Sequence, residues 1–168
     1  MLLDLDGVLN PFGASTCPDG YVEHEFHPGE GPDRYCPAHG AWIAELAAVG
    51  DVRWASSWGD DANTLLAPLL GIEPLPVVRF PPLALRPEDK IPAIVEAAGD
   101  RPTAWIDDNH TDPGRRWAAA RAAPTLLVPV DSAIGWTRPD IDRILAWAAA
   151  ILVETIFATK TAASGNSA

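Results

Sequence analysis

Short apolar runs alternate with longer runs of helical period along most of this chain, and that alternation limits the fold more than any other feature. Leu2-Leu3-Asp4-Leu5 reads as a first buried strand. The spacing then predicts helices over 41–49 (stopped by Gly50), about 60–70 (closed by Gly71), 88–98 (ended by Gly99), 113–122 and 140 to roughly 157. Between them lie apolar strands at 52–55, 76–80, 103–106 and 125–128. Parallel neighbours need crossover connections, which helices supply. The expectation is an α/β fold: a three-layer, Rossmann-like parallel sheet with helices on both faces. A length of 168 residues without an internal repeat fits one domain over 1–157, with 158–168 as a flexible tail. From Pro11 to Pro37 the composition turns to Gly, Pro and polar residues, and Tyr21 to Phe26 alternates like a hairpin strand, so this insert reads as a flap.

Composition narrows the function classes. Apolar residues at 48% and charged residues at 21% are those of an ordinary globular chain. A net charge of -11 opposes any extensive nucleic-acid-binding surface, which needs many Lys and Arg, but it leaves room for a local phosphate pocket. The longest uncharged apolar stretch, 144–153, is well short of the roughly 20 residues that cross a bilayer. No export signal precedes Leu2, and two cysteines are too few for a disulfide framework, so a cytoplasmic location is expected. A strand that begins at the first residue suggests a clipped strand or a misplaced start codon.

The chemistry gathers at predicted strand ends. Asp4 and Asp6 are two apart, so both carboxylates should face one side where the first strand stops. Two such charges repel unless a cation lies between them, and Gly7 permits the sharp turn that a close ligand requires. In open parallel sheets ligands bind beyond the carboxyl ends of the strands. Later strands place Ser56 and the pair Asp107-Asp108 at the same level, and Lys90 opens a helix between them. Oxygen ligands from several strand ends suit Mg2+, and a hydroxyl with an ammonium beside it suits a phosphoryl group.

Four motifs in this order resemble those of the haloacid dehalogenase (HAD) superfamily: Asp4-Leu5-Asp6-Gly7-Val8-Leu9-Asn10, Ser56, Lys90 and Asp107-Asp108. The resemblance implies a HAD-like phosphohydrolase with a minimal flap instead of a cap domain. Asp4 would attack phosphorus and Asp6 would serve as acid and base. Ser56 and Lys90 would hold the phosphoryl oxygens, and Mg2+ would be bound by Asp4, Asp6 (also through its main-chain carbonyl) and Asp107, with Asp108 behind it. A narrower resemblance runs through Pro37-Ala38-His39-Gly40-Ala41-Trp42, Trp54-Ala55-Ser56-Ser57-Trp58, Asp61-Ala62-Asn63 and 123–128. It is similar to HAD domains of bacterial RNA-repair proteins and of uncharacterised actinobacterial proteins, and it implies a nucleic-acid end as substrate. The alternatives are a nucleotidase or small-metabolite phosphatase acting on a phosphorylated small molecule, and a non-catalytic HAD-fold binding protein.

Several residues carry two readings. Ser57 replaces Ser56 as phosphate ligand if the strand ends one residue later. Lys90 has little competition, since the second lysine of the chain is Lys160. Trp58 is a candidate for stacking on a base, whereas Trp42, Trp54, Trp105, Trp117 and Trp147 read as core. Cys17, His24, His27, Cys36 and His39 contain zinc-like spacings, but a hairpin with surface histidines explains them better. His110 reads as a solvated loop histidine, and Arg115, Arg116 and Arg121 as a solvated helix face.

Overall fold

The computed structural model describes residues 1–81 and 86–164. Four parallel strands form the sheet in the order β4-β1-β5-β6: β1 Leu2–Leu3, β4 Arg53–Trp54, β5 Thr103–Asp107 and β6 Thr125–Pro129. The remaining two strands, β2 (Val22–His24) and β3 (Asp33–Tyr35), pair antiparallel as a hairpin within the predicted flap. The helices are α1 (Ala38–Ala47), α2 (Ala67–Leu70), α3 (Ile91–Ala98), α4 (Asp112–Ala120) and α5 (Arg138–Ser164).

Alternation along the strands divides the core in two. Leu3, Trp54, Ile106 and Val128 face one way and pack with Ile43 and Leu46 of α1, Leu70 of α2, and Ile141 and Ile144 of α5. Leu2, Trp105 and Leu127 face the other way, towards Ala93 and Ile94 of α3 and Trp117 of α4. A sheet buried on both faces must be apolar on both, which is why these strands read as continuous apolar runs. Of the tryptophans expected inside, Trp54 and Trp105 are fully buried, while Trp42, Trp117 and Trp147 are partly buried against the core. Trp136 is buried as well.

Three expectations need correction. The strand expected at 76–80 shrinks to one parallel bridge, Trp54 with Val77, held by Trp54 N–H to the Pro76 carbonyl (2.9 Å) and Val78 N–H to the Trp54 carbonyl (2.8 Å). Pro76 has no N–H to give and Pro81 closes the segment, so no longer ladder forms. The helix expected at 60–70 is π-helical over Ala62–Leu66 before α2 begins, because Pro68 cannot donate to the carbonyl four residues back and the chain widens by one residue. Finally, α5 continues to Ser164 rather than stopping near 157; residues 165–168 of the expected tail lie outside the described residues. No helix among the described residues is long and apolar enough to cross a membrane.

Gly40, in the first turn of α1, meets the end of α2 so closely that a Cβ would overlap the Leu70 carbonyl oxygen. Gly40→Ala should therefore lower the unfolding free energy by about 1–3 kcal/mol. Chemical denaturation checks this, and an unchanged midpoint would show that α1 and α2 can separate freely.

Candidate active site

The chain builds outward from β1 to β4 and the Val77 bridge, then returns to the other side of β1 to add β5 and β6. The direction of winding reverses between β1 and β5, and there the ends of diverging connections leave a crevice. Asp4 follows β1 and its N–H still donates to the Ile106 carbonyl (3.0 Å); Asp107 ends β5. Both carboxylates are buried, at 3% and 1% exposure.

Lys90 reaches them from the junction of a 3-10 turn, Pro87–Lys90, with α3. Its ammonium contacts Asp4 Oδ2 and lies 3.3 Å from Asp107 Oδ2. The second oxygen of Asp4 accepts from Leu5 N–H (2.8 Å). Asp107 accepts from Trp105 Nε1 (3.1 Å) and from Asn109 N–H (2.8 Å). Carboxylate oxygens of Asp4, Asp107 and Asp108 lie within 4.8 Å of one another, the one such acidic, His or Cys group among the described residues.

Burial first, and the Asp107 charge second, push the Asp4 carboxyl up to about 8, against the pull of Lys90. Burial lowers the Lys90 ammonium, yet Asp4 and Asp107 together outweigh it and raise its pKa. The two shifts compete, since a neutral Asp4 would give Lys90 less reason to hold its proton. Lys90 keeps its proton, but one ammonium cannot offset both Asp4 and Asp107, so the metal-free cluster holds a further proton more tightly than a free carboxyl would. Burial and Asp107 likewise raise Asp108. Oxygen donors with an uncompensated negative charge fit a hard divalent cation such as Mg2+.

Gly7 makes this convergence possible. Its φ is +75°, and a Cβ would overlap the Asp108 carboxyl. Gly7 was expected to turn the chain beside a ligand, and here it gives Asp108 the room to approach; it is not among the residues lining the cleft.

The Asp6 side chain lies outside the group that gathers around Asp4, where the spacing suggested it would stand. Its carboxylate turns away to accept from Asn10 Nδ2 (3.0 Å) and Trp58 Nε1 (3.0 Å), outside the three-carboxylate group. Asp108, expected behind the ligands, is instead one of the three. Trp58 is also relocated: its ring packs edge-on against Phe26 (5.1 Å) and His27 (5.0 Å), beside a neighbouring polar pocket. It positions Asp6 rather than presenting a platform in the main cleft. A tryptophan two residues after Ser56 offered the signal, but its partner lies 52 positions away.

The cleft over these groups has a volume of about 530 Å3. Asp4, Asp6, Lys90 and Asp108 line it, as do both Ser56 and Ser57, so either hydroxyl is available there. Ser56 is buried and accepts weakly from Trp58 N–H (3.4 Å), whereas Ser57 is exposed. Phe12, Arg79, Phe80 and Arg86, to which sequence reading assigned no role, form part of the wall. A second cavity of about 300 Å3 lies near Met1, Arg53 and Trp147; among the described residues Asp51 is its one carboxylate, so no acidic convergence forms there.

The histidines fall into place individually. His39 is buried among Tyr21, Trp42 and Trp136, and burial holds its imidazole down, to about 4. The Cys and His residues of the flap form no metal group among the described residues. His110, expected in solvent, is buried beside Trp105 (4.7 Å) with Nε2 3.1 Å from the Trp105 carbonyl, and burial lowers its pKa. Arg115 and Arg116 are exposed as expected, whereas Arg121 stacks on Trp117 (5.0 Å) and donates to Thr125 Oγ1 (2.8 Å).

Searches against protein-family models, curated proteins and solved structures found no match.

In metal-free protein the folded Asp4 cluster binds a proton more tightly than an unfolded carboxyl does. The unfolding free energy should therefore fall as pH rises from the ordinary 3.8 towards about 8. Asp4→Asn should flatten that slope in denaturant titrations across the range; an unaltered slope would refute the account.

Proposed function

We propose that the chain is a Mg2+-dependent phosphomonoester hydrolase of the HAD type, with Asp4 as nucleophile. The observation that carries this reading is the convergence of Asp4, Lys90 and the pair Asp107-Asp108, from three separate stretches of sequence, at one cleft that Asp4, Lys90 and Asp108 line. Asp4, Asp107 and Asp108 would hold Mg2+, which would supply positive charge to the phosphoryl oxygens.

The chain's own groups then account for two displacements. One Asp4 carboxylate oxygen forms a bond to phosphorus as the bond from phosphorus to the leaving oxygen breaks, and Asp6 gives its proton to that oxygen. Water next attacks the phosphorus of the aspartyl-phosphate and loses a proton to Asp6, and the bond from phosphorus to Asp4 breaks. Lys90 stays protonated and offsets charge on Asp4 and on the phosphoryl oxygens. A hydroxyl of Ser56 or Ser57 donates to the same oxygens. Asn10 and Trp58 keep Asp6 in one orientation throughout.

The reading favours a small phosphomonoester over a nucleic-acid end. The arginines of the cleft wall are engaged by carboxylates, Arg79 by Asp60 (2.8 Å from both nitrogens) and Arg86 by Asp89 (3.2 Å), so the wall offers little charge to a polyanion.

Purified protein with Mg2+ should release inorganic phosphate from an aryl phosphate or from a panel of monoesters, and chelation should stop it. Asp4→Asn should reduce kcat by at least roughly a thousandfold without unfolding the protein. No release from any panel member by folded protein would overturn the hydrolase reading.

Trp58→Phe retains a ring but removes the N–H donated to Asp6. Such bonds to charged groups are worth about 1.5–3 kcal/mol, so kcat should fall roughly ten- to a hundredfold with KM little changed. Steady-state kinetics paired with chemical denaturation would reveal a merely structural role as a loss of stability with kcat preserved.

A further inference from the structure

Phe12 is 59% exposed, an unusual setting for a large apolar ring on a segment this firmly tied. Its N–H donates to the Asn10 carbonyl (2.8 Å), Gly13 N–H to the Ser132 carbonyl (2.9 Å) and Ala14 N–H to the Pro11 carbonyl (3.1 Å). The ring is thus presented on a fixed turn, and it lines the same cleft as Asp4 and Lys90. Phe80 lines that cleft too, with its centroid 5.9 Å from Lys90 Nζ. Val78, Pro81 and Pro87 add apolar wall. The cleft therefore combines carboxylates and an ammonium with apolar wall from Phe12, Val78, Phe80, Pro81 and Pro87. Among the described residues, the wall's two guanidinium groups already face carboxylates: Asp60 for Arg79, and Asp89 with Glu88 (3.6 Å) for Arg86.

Resting on the hydrolase reading above, we propose that the substrate is a monophosphate ester of one flat aromatic unit, contacted by Phe12 and Phe80. Stacking of a π-face on an aromatic side chain tolerates different rings, so an aryl alcohol and a nucleoside share the required chemistry. The engaged arginines leave no reward for a second phosphate on the leaving group. A volume of about 530 Å3 is in the range of small-molecule sites and accommodates a unit of this size.

Four substrates decide the matter: an aryl phosphate, a nucleoside 5'-monophosphate, glycerol phosphate and a sugar bisphosphate. The ratio of kcat/KM for the better aromatic ester over glycerol phosphate should be roughly tenfold or more, and Phe12→Ala should bring it towards one. Phe12→Tyr should restore it, and the bisphosphate should gain nothing over glycerol phosphate. A preference for the aryl ester points to an aryl alcohol and a preference for the nucleotide to a nucleoside; both support the proposal. Equal use of aromatic and aliphatic esters overturns it, as does a Phe12→Ala loss that leaves the ratio unchanged. Calorimetric titration of Asp4→Asn protein with the nucleoside monophosphate and with glycerol phosphate separates the two readings. A binding preference that Phe12→Ala removes sustains ring recognition even where the wild-type protein shows no turnover, and equal affinity overturns it.

Discussion

Two buried carboxylates at the ends of adjacent parallel strands share one ammonium, and the architecture around the cleft is organised by that shortage of positive charge. Asp4 and Asp107 can stand side by side because β1 and β5 are hydrogen-bonded neighbours. Their mutual repulsion in a dry setting is strong, since the screening that water provides at the surface is missing there. Lys90 meets part of it from across the cleft. Asp108 adds to the deficit instead of relieving it, and Gly7 gives way to let it approach. An arrangement that concentrates unneutralised acid in this manner is costly to fold, and the cost is intelligible if a cation and a phosphoryl group are its usual occupants.

The carboxylates are oriented by indole groups anchored in the packing around them. Trp105 is a core residue on one face of the sheet, yet its indole N–H reaches Asp107. Trp58 does the same for Asp6 from a ring cluster with Phe26 and His27. Indole suits this task because most of its surface is apolar and can be packed, while a single donor fixes direction. Rotamers locked by packing in this way keep charges where a transition state needs them, without rearrangement during reaction.

Much of the frame could be read from the sequence because burial on both faces of a parallel sheet leaves plain apolar runs, as at 103–106 and 125–128. Asp4, Ser56, Lys90 and Asp107 were legible as groups at element ends, and the cleft brings all but Asp107 onto its lining while Lys90 reaches Asp107 directly. Bonds between distant residues were not legible. Nothing in the order of residues says that Trp58 turns its N–H to Asp6, or that the Asp6 carboxylate leaves its neighbour Asp4 to meet it. His110 does lie in a loop, but it looked solvated because its burial depends on Trp105 packing over it from the strand behind. The widened turn before Pro68 and the single bridge at Val77 were hidden for a different reason: proline alters backbone hydrogen bonding without disturbing apolar periodicity.

Asn10 connects features that otherwise look separate. Its amide nitrogen donates to Asp6 (3.0 Å) and to Asp33 of the hairpin (2.9 Å), while its amide oxygen accepts from Arg34 N–H (3.0 Å). One planar group therefore spans the loop after β1 and the flap, and it cannot turn for one without turning for the other. The hairpin is in this sense an extension of the Asp6 loop: wherever it is pulled, the direction of the Asp6 carboxylate is pulled with it.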